Sequence, residues 1–146
     1  MPEPEPGPWL HPDVEVRPSD IAGRGLFTTR DLPAHVVVIR LAPGTAEDGH
    51  ALELGTSFPN HSCDPNLGWV GDDSLAIMTD VPNGTELVVD YAMSTVDPAW
   101  FLRCHCPSYR CRQMVEGTDW RIPQLQQRYD GWWAPQIQRL VDASRG

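Results

Sequence analysis

Three cysteines crowd into eight residues, Cys104-His105-Cys106-Pro107-Ser108-Tyr109-Arg110-Cys111, and a fourth, Cys63, stands about forty residues earlier. No other feature of the chain constrains its fold so tightly. Thiols at that spacing are hard to pair as disulfides but readily satisfied by one tetrahedral metal ion. With Cys63 as the fourth ligand, a zinc ion would have a closed thiolate shell with no position for water, so it would hold structure rather than perform chemistry. It would tie residues 104–111 back to residue 63. His61 and His105 are spare candidate ligands, and unlinked buried thiols or a redox pair remain the alternative on spacing alone. The start, Met1-Pro2-Glu3-Pro4-Glu5-Pro6, has neither the basic flank nor the apolar stretch of a secretory signal, and no apolar run approaches the roughly 20 residues of a membrane span. A cytoplasmic protein is therefore expected, in which thiols stay reduced and metal binding outweighs disulfides.

The 146 residues, 40% of them hydrophobic, suffice for one compact domain. A net charge of −9 argues against direct contact with nucleic acid or an anionic membrane and favours a basic partner. All 11 basic residues are arginine, a codon-bias signature first, and a chain without lysine cannot modify its own side-chain amines.

Residues 1–12 hold five of the 15 prolines and no apolar period, and read as a flexible lead-in. From Val14 the chain reads as short strands over 14–16, 25–27, 36–39, 67–70, 75–78 and 86–89, punctuated by Gly, Pro and Asp turns such as Pro82-Asn83-Gly84. Helix signals lie in the last third. Asp97-Pro98 reads as an N-cap and first helical position opening a turn through Trp100-Phe101-Leu102. Residues 122–129 and 135–141 each fit one or two amphipathic turns, with Ile137, Leu140 and Val141 as a docking stripe. The expected domain is thus mostly β, with short C-terminal helices.

Four segments carry a family resemblance, in one order: Gly23-Arg24-Gly25-Leu26-Phe27, Asn60-His61-Ser62-Cys63-Asp64-Pro65-Asn66, Gly84-Thr85-Glu86-Leu87-Val88-Val89-Asp90-Tyr91, and the CxCx4C run with Arg112. They resemble the motifs of SET-domain protein-lysine methyltransferases, the last being similar to the post-SET zinc cluster. The resemblance implies irregular short sheets with a threaded pseudoknot, in which the NHSC segment passes beneath the loop leading to the DY tyrosine. It divides the chain into the lead-in (1–12), a SET domain with a minimal insert (13–103), a post-SET zinc segment (104–115) and a Trp-rich helical tail (116–146).

The resemblance further implies S-adenosylmethionine as cofactor, beside one structural zinc. Gly23, Arg24, Gly25 and Leu26 would meet its methionine end, where missing side chains allow close backbone approach. Asn60 and His61 would meet its adenine and amino-acid portions, and zinc at Cys63 would fix the peptide that faces it. Tyr91 is the candidate catalytic residue and also a cofactor contact. Strand alternation would set Leu87, Val89 and Tyr91 on the pocket face and Glu86, Val88 and Asp90 on the other. With an ordinary pKa near ~10, Tyr91 would orient the amine and polarise the methyl environment rather than act as a base, the amine proton leaving to water. Val89, two residues before the tyrosine where the family commonly has Phe or Tyr, would line the substrate pocket and leave room for multiple methylation.

Two departures stand out. Only Arg40 to Pro59 separates the 36–39 strand from Asn60, with Phe58 as its sole aromatic, so the substrate groove would be shallow, completed by another part of the chain, or completed by a second subunit in a homodimer. Trp120, Trp132 and Trp133 are candidates for the missing wall, with core packing as the alternative. The second departure is Gln113, where the family often has glycine. The leading expectation is methyl transfer to a lysine of a basic protein or peptide. The alternatives are a small-molecule amine or other nucleophile as acceptor, or a zinc-stabilised binding module without turnover.

Overall fold

The computed structural model describes residues 9–41 and 59–145. The expected insert, with Phe58, lies mostly outside them. Among the described residues the chain is mostly β. The strands are β1 (Trp9–Leu10), β2 (Val14–Pro18), β3 (Arg24–Thr28), β4 (Val37–Arg40), β5 (Asn60–His61), β6 (Leu67–Val70), β7 (Ser74–Ile77), β8 (Glu86–Val89), β9 (Phe101–Arg103) and β10 (Met114–Glu116). Two helices follow, α1 (Pro123–Arg128) and α2 (Pro135–Arg145).

The main sheet runs β1-β4-β7-β6-β8-β3-β2, while β9 and β10 form a separate antiparallel pair. β8 is the strand on which the site is built. Its Leu87, Val88 and Val89 are all buried, consistent with a continuous apolar strand covered on both faces. β3 pairs antiparallel with its first half, and β5 runs parallel to its second half, with Asn60 opposite Val88 and His61 opposite Val89. The Asn-His pair thus arrives at the end of β8 by strand pairing.

Four expectations need correction. The lead-in is shorter than residues 1–12, because Trp9 and Leu10 pair with Arg40 and Ile39, and the Arg40 guanidinium sits over the Trp9 ring. The Asp97-Pro98 signal starts a turn, not a helix: Asp97 accepts from the backbone of Ala99 and Trp100, and residues 101–103 then extend as β9. Asp followed by Pro suits the first two positions of such a turn as well as those of a helix, so the local signal does not separate them.

Tyr91 does not continue β8. Asp90 caps a 3-10 turn over Tyr91–Met93 by accepting from Ala92 N at 3.0 Å, which ends the two-residue alternation at Val89. Finally, the C-terminal segment docks on the core as expected, but through a different stripe of residues. Tyr129, Trp133, Ala134, Ile137 and Val141 belong to the same apolar cluster as Leu67, Leu87 and Val89, whereas Leu140, expected in the docking stripe, is exposed. β6 is shaped to receive this segment. Trp69 N donates to Trp132 O at 2.8 Å, and a Cβ at Gly68 would lie 2.5 Å from the Trp132 ring, so only glycine admits the indole there.

Candidate functional site

A cavity of about 490 Å³ opens where the 20–22 loop, the Asn60-His61 pair, Glu86, Tyr91 and the 102–107 segment converge. That volume lies within the roughly 300–1,000 Å³ of small-molecule sites. Its walls combine apolar side chains, Ile21 and Leu102, with polar groups of Asn60, Glu86 and Tyr91.

Asn60 and Glu86 hold the loop in place. The Asn60 amide nitrogen lies 3.1 Å from Ala22 O, 3.2 Å from Arg24 O and 2.9 Å from Glu86 Oε2, and the Ser19 hydroxyl reaches both Glu86 oxygens at 2.8 and 2.9 Å. Gly25 is required by this arrangement, because a Cβ there would collide with the Glu86 carboxylate. Gly23 has φ +42°, a backbone state that favours glycine. The two glycines therefore shape the loop, while the cavity wall itself is made by Asp20, Ile21 and Ala22. Gly23, Arg24, Gly25 and Leu26 do not line it; Arg24 is exposed and Leu26 is core.

His61 lines the cavity, but its ring is turned inward. Nδ1 accepts from the backbone N–H of Tyr91 at 3.0 Å, which puts the proton on Nε2, 3.5 Å from Cys63 Sγ. Burial pulls its pKa down to about 4 against the opposing charge of Asp90, so the imidazole is neutral. Tyr91 lies edge-on to His61 with centroids 5.2 Å apart, and its hydroxyl donates to Pro59 O at 2.8 Å. Burial, reinforced by the negative charge of Glu86, pushes its pKa up to about 12. The site therefore presents a protonated phenol.

The Sγ atoms of Cys63, Cys104, Cys106 and Cys111 all lie within 4.8 Å of one another. Tetrahedral zinc with Zn–S of ~2.3 Å needs sulfurs ~3.8 Å apart, a spacing this group can adopt. The surroundings suit thiolates. Cys104 Sγ accepts from Cys106 N and Cys63 Sγ from Arg112 N, each at 3.4 Å, while His61 Nε2 adds a third N–H. The converging group includes neither His61 nor His105 as a ligand. Leu102, Cys104 and Cys106 line the cavity, so the cysteine segment also makes part of its wall.

Two sets of residues expected at a substrate pocket lie away from this cavity. Val89 is 1% exposed, packed in the main cluster, and lines no part of this cavity. The tryptophans build no wall there either. Trp132 stacks on His35 at 5.6 Å, Trp133 meets Tyr129 edge-on at 5.5 Å, and Trp120 packs against the core. Besides His61, Tyr91 has Trp100 beside it, with ring centroids 6.5 Å apart.

Behind Tyr91 lies a buried polar network that no local sequence pattern announces. Asp90, fully buried, accepts from both terminal nitrogens of Arg112 at 2.7 and 3.0 Å and from the Tyr129 hydroxyl at 2.8 Å. Arg112 Nε donates to Asp119 Oδ2 at 3.0 Å. Burial works against the Arg112 charge, but the Asp90 carboxylate more than offsets it and raises the pKa. Arg112 and Asp90 both fall inside quoted motifs; Asp119 and Tyr129 carry no local signal.

No family model matches the chain. Curated proteins that are similar to it include three histone-lysine N-methyltransferases. The H3 lysine-9 specific histone-lysine N-methyltransferase KMT1 of Fusarium mangiferae is 34% identical over 92 residues, covering 50% of this chain and 27% of that protein. The histone-lysine N-methyltransferase ash1 of Drosophila melanogaster is 28% identical over 98 residues, covering 62% and 4%. The H3 lysine-9 specific enzyme dim-5 of Neurospora crassa is 34% identical over 86 residues, covering 44% and 26%. The chain thus spans about a quarter of two of these relatives and a far smaller share of the third. Among solved structures, the Neurospora SET domain protein DIM-5, a histone lysine methyltransferase, aligns over 66% of this chain and 58% of its own, with 19% identity and a TM-score of 0.42. In its four ordered motifs and in these sequence matches, the chain resembles the SET-domain histone-lysine methyltransferases.

Proposed function

We propose that this chain is an S-adenosylmethionine-dependent N-methyltransferase acting on a lysine side chain of a basic protein. The observation that carries the reading is the single cavity into which the 20–22 loop, Asn60-His61, Tyr91 and the cysteine segment are folded. Its mixed apolar and polar lining fits a nucleoside joined to a charged amino acid. Bound there, the cofactor would supply an electrophilic methyl on a sulfonium.

The protein's own groups then have separable parts. Asn60, through Glu86 and Ser19, holds the loop that walls the cavity. The apolar Ile21 and Leu102 keep part of the cavity free of water, which favours transfer of the methyl group to the amine over its hydrolysis. Tyr91 offers a neutral hydroxyl that can orient an incoming amine, while Glu86 adds a negative charge that favours cationic ligands. Cys63, Cys104, Cys106 and Cys111 would hold zinc and with it the 102–107 wall. A basic acceptor protein suits the net charge of −9.

The test is incubation of the full zinc-loaded chain with labelled S-adenosylmethionine and, separately, histones, lysine-rich peptides and small amines. Label on protein lysine, cut sharply by Tyr91→Phe while calorimetric cofactor binding persists, is the expected result. Label on small amines alone would move the acceptor class. Absence of cofactor binding by calorimetry would overturn the reading altogether.

A further inference from the structure

We propose that the C-terminal segment 116–145 is a built-in positioning element for Tyr91, acting through a latch of four residues: Asp90, Arg112, Asp119 and Tyr129. The proposal rests on the methyltransferase reading for the use of Tyr91, and on geometry alone for the latch.

The starting point is what fixes the Tyr91 ring. Its backbone N–H is held by His61, and the 3-10 turn that begins with it is capped by the Asp90 carboxylate. Asp90 is fully buried, and an ionised carboxylate at such depth persists only when its oxygens are satisfied and its charge is offset. None of its side-chain partners comes from β8, the strand that leads into it. Oδ1 takes Ala92 N and one Arg112 nitrogen, and Oδ2 takes the other Arg112 nitrogen and the Tyr129 hydroxyl.

Arg112 is in turn shared. Its terminal nitrogens go to Asp90, its Nε to Asp119 at 3.0 Å, and its backbone N–H to Cys63 Sγ at 3.4 Å. A planar guanidinium forked between two carboxylates fixes the angle between them, which an ammonium could not do. The same Asp119 Oδ2 also accepts from Glu116 N at 3.1 Å. Tyr129 is 0% exposed and lies one residue past α1, within the apolar cluster that also holds Trp133 and Ile137. The segment is therefore docked by apolar packing; the Asp119 and Tyr129 side chains carry that docking through Arg112 and Asp90 to the residue beside Tyr91, and Ala134 N donates to Met93 O at 3.0 Å at the far end of the same turn. Asp119 and Tyr129 are positioning residues: neither lines the cavity.

The experiment compares the full zinc-loaded chain with Tyr129→Phe, Asp119→Asn, the conservative Asp119→Glu, and Leu140→Ala as an exposed control on α2. Two readouts are taken well below the melting midpoint. Amide hydrogen exchange of residues 90–94, measured without cofactor, is expected to speed up in Tyr129→Phe and Asp119→Asn, and to stay at the parent rate in Leu140→Ala. Methyl transfer is expected to lose roughly three- to tenfold in kcat in the first two, with little change in KM for S-adenosylmethionine, and Asp119→Glu should recover part of the loss. Tyr129→Phe keeps the buried ring, so its folding is expected; Asp119→Asn serves if it does not. Unchanged exchange at 90–94 in folded variants overturns the latch. Accelerated exchange in a chain that transfers no methyl supports the latch and removes the methyltransferase reading, so the two failures are distinguishable.

Discussion

The imidazole of His61 joins two parts of the site: its Nδ1 takes the backbone N–H of Tyr91 at 3.0 Å while its Nε2 sits 3.5 Å from Cys63 Sγ. A single side chain thus connects the cysteine cluster to the backbone that aims the phenol. Partners that orient metal ligands typically contribute ~10–100-fold to metal affinity. Elemental analysis is expected to return about one zinc per chain for the parent. His61→Ala should then release zinc to a competing chelator at a free-metal level ~10–100-fold higher than the parent. Removing zinc from the parent with a strong chelator should abolish methyl transfer together with protection of residues 102–107. A metal-free protein with full activity would exclude the structural role of the cluster.

Gln113 offers a test of backbone strain. It has φ +65°, in the left-handed region where a non-glycine residue is held at a cost of roughly 1–2 kcal/mol. Its carbonyl accepts from Cys104 N at 2.8 Å, so the conformation is locked to the metal segment. This gives the physical reason for glycine after Cys-Arg in the family pattern: the position requires a positive φ. Gln113→Gly is expected to raise stability by up to about 1 kcal/mol, the relief of strain exceeding the extra freedom of the unfolded chain. Thermal or urea unfolding of the zinc-loaded protein measures it, and a lower midpoint would contradict the assignment.

What could be read from the sequence divides along the range of the interactions. The cysteine group was legible because three of its members fall within eight residues, and the strands at 67–70 and 86–89 because β-branched and apolar residues run between Gly, Pro and Asp turns. The face of Tyr91 was not, since one capping carboxylate on Asp90 breaks the alternation. The Asp90–Tyr129 and Asp90–Arg112 contacts span 39 and 22 residues, and a single sequence carries no signal that pairs such positions. Glu86 lies within β8, and it shares the cavity with the phenol because Tyr91, beyond the strand end, leaves the face that alternation assigns to it.

Val89 supplies a third prediction, opposite in kind to the one its motif position invites. At 1% exposure among Leu67, Leu87 and Met93, it has no free volume for a phenol ring. Val89→Tyr should overpack the core and cost about 1–3 kcal/mol of stability, without a specific change in the number of methyl groups added. Urea unfolding gives the first quantity and mass spectrometry of the product the second. A variant as stable as the parent that yields only monomethylated product would show that the side chain reaches the acceptor after all.

Tyr91 yields the pH dependence. A group acts as a base only in its deprotonated form, and burial with the nearby Glu86 charge holds this phenol protonated up to about 12. The raised pKa also means that the folded state keeps the stability from the neutral phenol below ~10 and loses it as pH climbs through about 12. Over the working range, the only proton that must leave before transfer is that of the acceptor amine, whose ordinary pKa is ~10.4. Log kcat/KM for a lysine peptide should therefore rise by about one unit per pH unit from ~7 toward ~10. Tyr91→Phe should lower the whole curve without changing its shape, because a hydroxyl that orients the amine is lost while the titrating group remains. An ascending limb centred well below ~10 in the parent and missing in Tyr91→Phe would instead identify the phenolate as the base, with a bound cation having overcome both burial and Glu86.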